Sequence, residues 1–225
     1  MSVLRAAWAI AAKDLRIEAR TREVTVSTGL FAVLVVVLTS LSFFVDDLTA
    51  RRIAPGVLWI TITFAGLLAI GRTWAREREH DAMRGLLLAP IPRPAIFLGK
   101  AVGTLAFVGI VEALIVPLVG ILFHVDLVPR IAEIAAVLGL GTLGFVLTGS
   151  LFGAMTVRTG SRDLMLSVVL FPLITPALLA GVVATRGILG GEPVAETFAW
   201  LRILVAFDVV VATAGYFLFG PLVSD

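Results

Sequence analysis

Cysteine is absent from the sequence. Disulfide staples, thiolate metal sites, cysteine nucleophiles and thioether-linked cofactors are thereby excluded. Histidine is scarce as well, with His80 and His124 the only two. Charged residues make up 15% of the chain, where a soluble domain carries about a quarter. An enzyme built from this inventory would have few groups for acid–base chemistry. No phosphate-binding loop is present: Lys100 follows Gly99, but no glycine stands five residues before Gly99, and Ala101 replaces the hydroxyl residue. Neither HExxH nor GxSxG occurs. A net charge of +2 gives nucleic acid no support as a partner.

Apolar residues are plentiful: 59% of the 225 are hydrophobic and the mean hydropathy is +1.06. One globular core cannot hide that much apolar surface, because too little polar surface remains to cover it. Lipid can. A spanning helix needs about 20 apolar residues to cross about 30 Å of hydrocarbon. Six such runs occur, at 24–45, 55–71, 96–123, 131–155, 164–184 and 201–220. The second is the shortest and is expected to continue helically into the polar stretch from Arg72. The third is long enough to tilt or to project beyond the membrane. The segments between the runs are short, so residues 1–225 read as a single transmembrane domain with no linker.

An even number of spans puts both termini on one side. That side collects Arg5, Lys13, Arg16, Arg20, Arg22, Arg72, Arg76, Arg78, Arg84, Arg93, Lys100, Arg158 and Arg162. The other holds only Arg51, Arg52, Arg130, Arg186 and Arg202. The first side, with both termini, is therefore expected in the cytoplasm. Trp59 and Trp200 near outer ends and Trp74 near an inner end read as interfacial anchors. The first 23 residues interrupt any apolar stretch with Lys13, Asp14, Arg16, Glu18 and Arg20 and are not expected to form a cleavable signal peptide. They read as a helix over about 3–22, either lying in the cytoplasmic interface with Trp8 among the headgroups or simply capping the first span.

Residues 72–100 on the cytoplasmic side carry the densest charge: Arg76, Glu77, Arg78, Glu79, Asp81 and Arg84. An apolar patch follows, Leu86, Leu87 and Leu88, and then Pro90, Pro92 and Pro94 stop any helix. Such a helix ending in a stiff turn suits docking to a soluble partner, or it is a solvated loop held out of lipid by its charges. Two carboxylates fall within spans, Glu112 near the middle of the third and Asp208 in the sixth. A charge at that depth costs a few kcal/mol, so each faces protein or water. Glu112 either lines a route or a dimer interface, or is a neutral group bonded to a neighbouring helix. Gly99/Gly103 and Gly149/Gly153 have the spacing that lets helix backbones approach. Pro117, Pro172 and Pro176 should bend their spans. His124 is a conceivable haem ligand, but a lone interfacial histidine is more simply bonded to headgroups or water.

The run Glu77-Arg78-Glu79, Leu86-Leu87-Leu88-Ala89-Pro90, Ile96-Phe97-Leu98-Gly99-Lys100 resembles the signature of ABC-2-type permeases. Within that group the chain is similar to the haem exporter protein B (CcmB) family of cytochrome c maturation. The likeness lies in Lys13-Asp14-Leu15-Arg16-Ile17-Glu18, Arg20-Thr21-Arg22-Glu23, Ala54-Pro55-Gly56-Val57-Leu58-Trp59 and Leu140-Gly141-Thr142-Leu143-Gly144-Phe145. After Glu77-Arg78-Glu79 the family commonly has glycine and an acidic residue, where this chain has His80-Asp81-Ala82-Met83-Arg84. The resemblance implies an all-α, six-helix ABC-2-type bundle with an N-terminal interfacial helix. Between spans two and three it implies a coupling helix, with Arg76, Glu77, Arg78, Glu79, Asp81, Arg84, Leu86, Leu87 and Pro90 as its docking residues. It implies no catalytic site, no metal and no directly bound cofactor, with ATP on a separate CcmA-like ATPase and haem as the handled ligand. The expected setting is an inner-membrane complex: a homodimer of this chain with the ATPase, a CcmC-like haem-handling protein and small accessory subunits. An ABC-2 permease for a lipid, glycan or drug, or a non-transporting scaffold, are the alternatives.

Overall fold

The structure is a computed structural model that describes residues 2–42, 47–79, 82–159 and 163–224. Its elements are α1 (Val3–Thr21), α2 (Glu23–Ser42), α3 (Asp47–Glu79), α4 (Ala82–Leu88), α5 (Arg93–Leu122), α6 (Ile131–Thr159), α7 (Asp163–Gly190) and α8 (Val194–Ser224). A single 3-10 turn, Val128–Arg130, precedes α6. Six helices, α2, α3 and α5 to α8, are long and apolar enough to cross a membrane. This is a helical membrane bundle, as the apolar runs require.

The helices outrun those runs. At 1.5 Å per residue, α2 with its 20 residues is about 30 Å long, one hydrocarbon thickness, whereas the 33 residues of α3 reach about 50 Å. Pro55, read as the start of the second span, lies inside α3. The outer segment 185–199 contracts to residues 191–193 between α7 and α8, with Gly191 at φ +78° turning the chain. Hydropathy ends where polar residues begin, but a backbone keeps its helical hydrogen bonds across them. The helices run on through Pro117, Pro172 and Pro176.

At the centre stands α6, packed against α3, α5, α7 and α8. Its glycines explain why. A Cβ at Gly141 would strike the ring of Trp59, one at Gly149 would strike Ile70, and one at Gly153 would strike Trp74. Three large side chains of α3 thus seat in three notches of α6. Trp59 also presses on Gly181 of α7, and its indole N–H donates to Thr185 Oγ1 at 3.0 Å. Trp59 and Trp74 are therefore buried keystones and not the interfacial anchors their positions in the sequence suggested. Trp8 is the exposed one, at 66%.

The first helix packs alongside α5, and the two run in the same direction. Ala6 and Ala7 meet Ala95, Ile10 meets Gly99, and Asp14 meets Gly103. The Gly99/Gly103 pair permits this: a Cβ at Gly99 would lie 2.7 Å from the Ala7 carbonyl oxygen. The chain then turns sharply into α2 at Arg22 (φ +51°), whose N–H donates to the Glu18 carbonyl at 2.7 Å. The Glu18 carboxylate accepts the Thr25 N–H at 2.7 Å, satisfying one of the unpaired amides at the start of α2.

Candidate functional site

The apolar face of α1 repeats at Ala7, Ile10, Ala11, Asp14 and Glu18, so helical spacing carries two carboxylates into contact with the bundle. The end of α3 beyond Arg72 projects charged residues to the same level, and α5 supplies Lys100 one turn above Gly103. The three helices meet there in a layer of charge.

Lys100 is its centre, 1% exposed. Its ammonium donates to Asp14 at 2.7 Å and to Glu77 Oε1. Lys13 reaches Asp14 at 2.9 Å and Glu77 at 3.1 Å. Around the rim, Arg76 binds Glu18 at 3.0 Å, and Glu23 and Thr21 at 3.1 Å each, while Arg72 holds Glu23 at 3.1 Å. Four cations from α1, α3 and α5 thus meet four carboxylates from α1, α2 and α3. Removing one partner from a buried pair costs about 3–5 kcal/mol, because the other charge is left unmatched. Burial opposes the charge on Lys13, but hydrogen bonds and attraction from Asp14 and Glu77 outweigh it and raise its pKa above the ordinary 10.5. A cavity of about 310 Å³ opens beside this layer, lined by Lys13, Asp14, Arg76, Glu77, Lys100 and the first residue of α4, Ala82.

The docking residues expected from sequence divide in two. Arg76 and Glu77 belong to the end of α3 and are engaged inside the joint; Glu77 is buried and its carboxylate faces Lys100. Leu86 and Leu87 are half-buried on α4 and pack against the core, whereas Leu88 is 81% exposed and Pro90 is exposed. Arg93 Nη1 donates to the Leu87 carbonyl at 2.8 Å, closing the end of α4 against the start of α5. Asp81 lies outside the described residues, as do the side chains of Arg78, Glu79 and Arg84. Sequence reasoning missed Asp14, Lys13, Glu18 and Glu23 as site residues and used Lys100 only as part of a motif.

The two intramembrane carboxylates flank α6. Glu112 of α5 is 9% exposed and accepts a hydrogen bond from Thr142. Asp208 of α8 is 5% exposed, lies against Gly144, and accepts no hydrogen bond among the described residues. The bundle keeps the two apart, on different sides of α6. His124 stands in the turn after α5 at φ +50°. Among the described residues, no three of His, Asp and Glu cluster closely enough to hold a metal ion. At the end of the bundle away from Lys100, Arg130 pairs with Glu133 and donates to the carbonyls of Ile188 (3.2 Å) and Glu192 (2.8 Å), pinning the α7–α8 turn to α6.

The chain is similar to several known proteins of one name. The chain is 34% identical over 146 residues to Heme exporter protein B of Paracoccus denitrificans, covering 64% of this chain and 66% of that protein. It is 27% identical over 209 residues to Heme exporter protein B of Bradyrhizobium diazoefficiens, covering 93% of each. With Heme exporter protein B of Escherichia coli it shares 30% identity over 93 residues, 41% of this chain and 42% of that protein. The CcmB protein family model matches residues 5–223. A six-span bundle whose first helix docks beside the third span, matched over nearly its whole length, is a multi-pass membrane protein of the CcmB family.

Proposed function

We propose that this chain is the permease subunit of an ABC transporter complex for cytochrome c biogenesis, transmitting ATP hydrolysis on a partner subunit to the handling of haem. The observation that carries the reading is the charged joint around Lys100. It ties α1, α3 and α5 together at the foot of α4, the short helix a partner would meet first. Force applied to α4 passes to α5 through the Arg93–Leu87 contact and to α3 through the short connection at its other end. Paired charges then make α1, α3 and α5 move as one body. The chain itself supplies no hydrolytic chemistry in this scheme: ATP is bound and cleaved on a CcmA-like ATPase.

The assembly we propose holds two copies of this chain with the ATPase, a CcmC-like haem-handling membrane protein and small accessory subunits, in the inner membrane with both termini cytoplasmic. The work done is export of haem or ATP-driven release of a haem-loaded chaperone. Co-purification with a CcmA-like ATPase tests the reading. Wild type should capture the ATPase, and Leu88→Glu, which puts a charge on the exposed tip of α4, should capture at least tenfold less while expressing and melting normally. Capture unaffected by Leu88→Glu removes α4 as the docking element; no capture by wild type in mild detergent removes the transporter reading.

A further inference from the structure

Charges on the two sides of α1 are treated differently. Those facing the bundle, Lys13, Asp14 and Glu18, are all paired. Arg16 and Arg20 on its other side, and Arg22 in the turn just after it, are exposed and make no ion pair among the described residues. They stand immediately before α2, the first span, so three unmatched cations sit where that span enters the membrane.

Beside them the surface is hollow. Arg16 and Arg20, with Lys13, Ile17 and Ala19, line an open cleft of about 500 Å³. Ala19 also borders a second groove, about 310 Å³, between α1, α2 and α5, walled by Leu15, Val26, Phe107 and Ile110, with Glu18, Arg22 and Thr25 along it. The cleft is cationic, the groove is apolar apart from those three, with the Glu18 carboxylate already held by Arg76 and the Thr25 N–H, and the two share a wall. Val26 and Ile110 are half-exposed, and the same faces continue along the spans as Leu30 and Leu114. The groove therefore leads from the arginines onto the surface that lipid covers.

We propose that this cleft and groove bind one anionic phospholipid, its phosphate held by Arg16, Arg20 and Arg22 and one acyl chain laid along Leu15, Val26, Phe107 and Ile110. Arginine favours such a headgroup because its planar donors match phosphate oxygens in pairs. The continuity of the groove with the lipid-facing surface selects a lipid over an acidic soluble protein, which would bring nothing to fill an apolar furrow. The bound lipid would wedge α1 against α2 and α5, on the side of α1 away from Lys100.

Native mass spectrometry of the full-length chain in detergent tests this, titrating dioleoylphosphatidylglycerol against dioleoylphosphatidylcholine. Wild type should retain one phosphatidylglycerol in clear preference to phosphatidylcholine. Each arginine near a membrane surface contributes about a fivefold preference, so Arg16→Gln, Arg20→Gln, Arg22→Gln together should lower it about a hundredfold. Ile110→Trp, which fills the groove and leaves the arginines in place, should weaken retention of both lipids. Arg51→Gln, Arg52→Gln at the opposite end of the bundle should change neither. Equal retention of the two lipids by wild type, or an undiminished preference in the triple variant, overturns the proposal. So does unchanged retention in Ile110→Trp. The single arginine variants, each expected to lose about fivefold, decide the matter if the triple variant fails to fold.

Discussion

Two sets of carboxylates in this molecule are handled in opposite ways. At the end of the bundle where α1 packs, Asp14, Glu18, Glu23 and Glu77 are met by Lys13, Arg72, Arg76 and Lys100, charge for charge. Midway through the bundle, Glu112 has only the hydroxyl of Thr142, and Asp208 has no donor among the described residues. The first set is self-contained and holds helices together. The second has far fewer partners among the described residues. A carboxyl within a span is by default a candidate for function.

The comparison breaks most visibly at Lys100. Lys100→Met leaves Asp14 and Glu77 with the half-exposed Lys13 alone and should lower stability by up to about 3–5 kcal/mol, read as a fall in thermal midpoint in detergent. Adding Asp14→Asn and Glu77→Gln should return most of the loss; no recovery would mean that Lys100 acts through packing alone. Next comes the seam that brings α1 to the joint. Gly99→Ala sets a methyl against the Ala7 carbonyl and should cost about 1–3 kcal/mol. At Gly103 the nearest atom to an added Cβ is 3.5 Å away, so Gly103→Ala should stay within about 0.5 kcal/mol. Equal effects at the two glycines would show that α1 does not pack on α5 in this register.

Asp208→Asn should run the other way. It keeps the shape, removes a buried carboxyl that no described residue pairs, and should leave the midpoint unchanged or raise it by about 1 kcal/mol equivalent. A large loss of stability would sink the contrast between the two sets. The smallest effect is alkaline. The pKa of Lys13 is raised on folding, so its contribution is complete below about 10.5 and is lost as pH climbs through the higher folded value. Wild type should lose slightly more stability than Lys13→Met between pH 9 and pH 11, a small difference because the lysine is partly exposed.

The number of spans was legible because each is a long apolar run, and lipid imposes that composition wherever a helix crosses it. Helix ends were not, since Pro55 and residues 185–190 are polar or helix-breaking by composition yet continue helices that packing already supports. The two GxxxG pairs look alike in sequence and act differently. Gly99/Gly103 admits the backbone of α1, whereas Gly149/Gly153 admits the side chains of Ile70 and Trp74. Spacing announces that room exists but says nothing of what fills it. Trp59 and Trp74 were misplaced for the same reason, because the notches that receive them lie on other helices. Glu77 was read with its charged neighbours as a docking residue, while its partner Lys100 stands 23 residues on. One signal was present: Asp14 and Glu18 fall on the apolar face of α1, where a carboxylate needs a buried cation.

Asp14 and Lys100 are 86 residues apart in the chain. At roughly 5–20 residues per second, a ribosome needs about 4–17 s to pass from one to the other. During that interval α2 and α3 enter the membrane while the carboxylates of α1 have no Lys100 to meet. α1 is thus synthesised well before the lysine its carboxylates meet, and it locks only once the third span has arrived beside it.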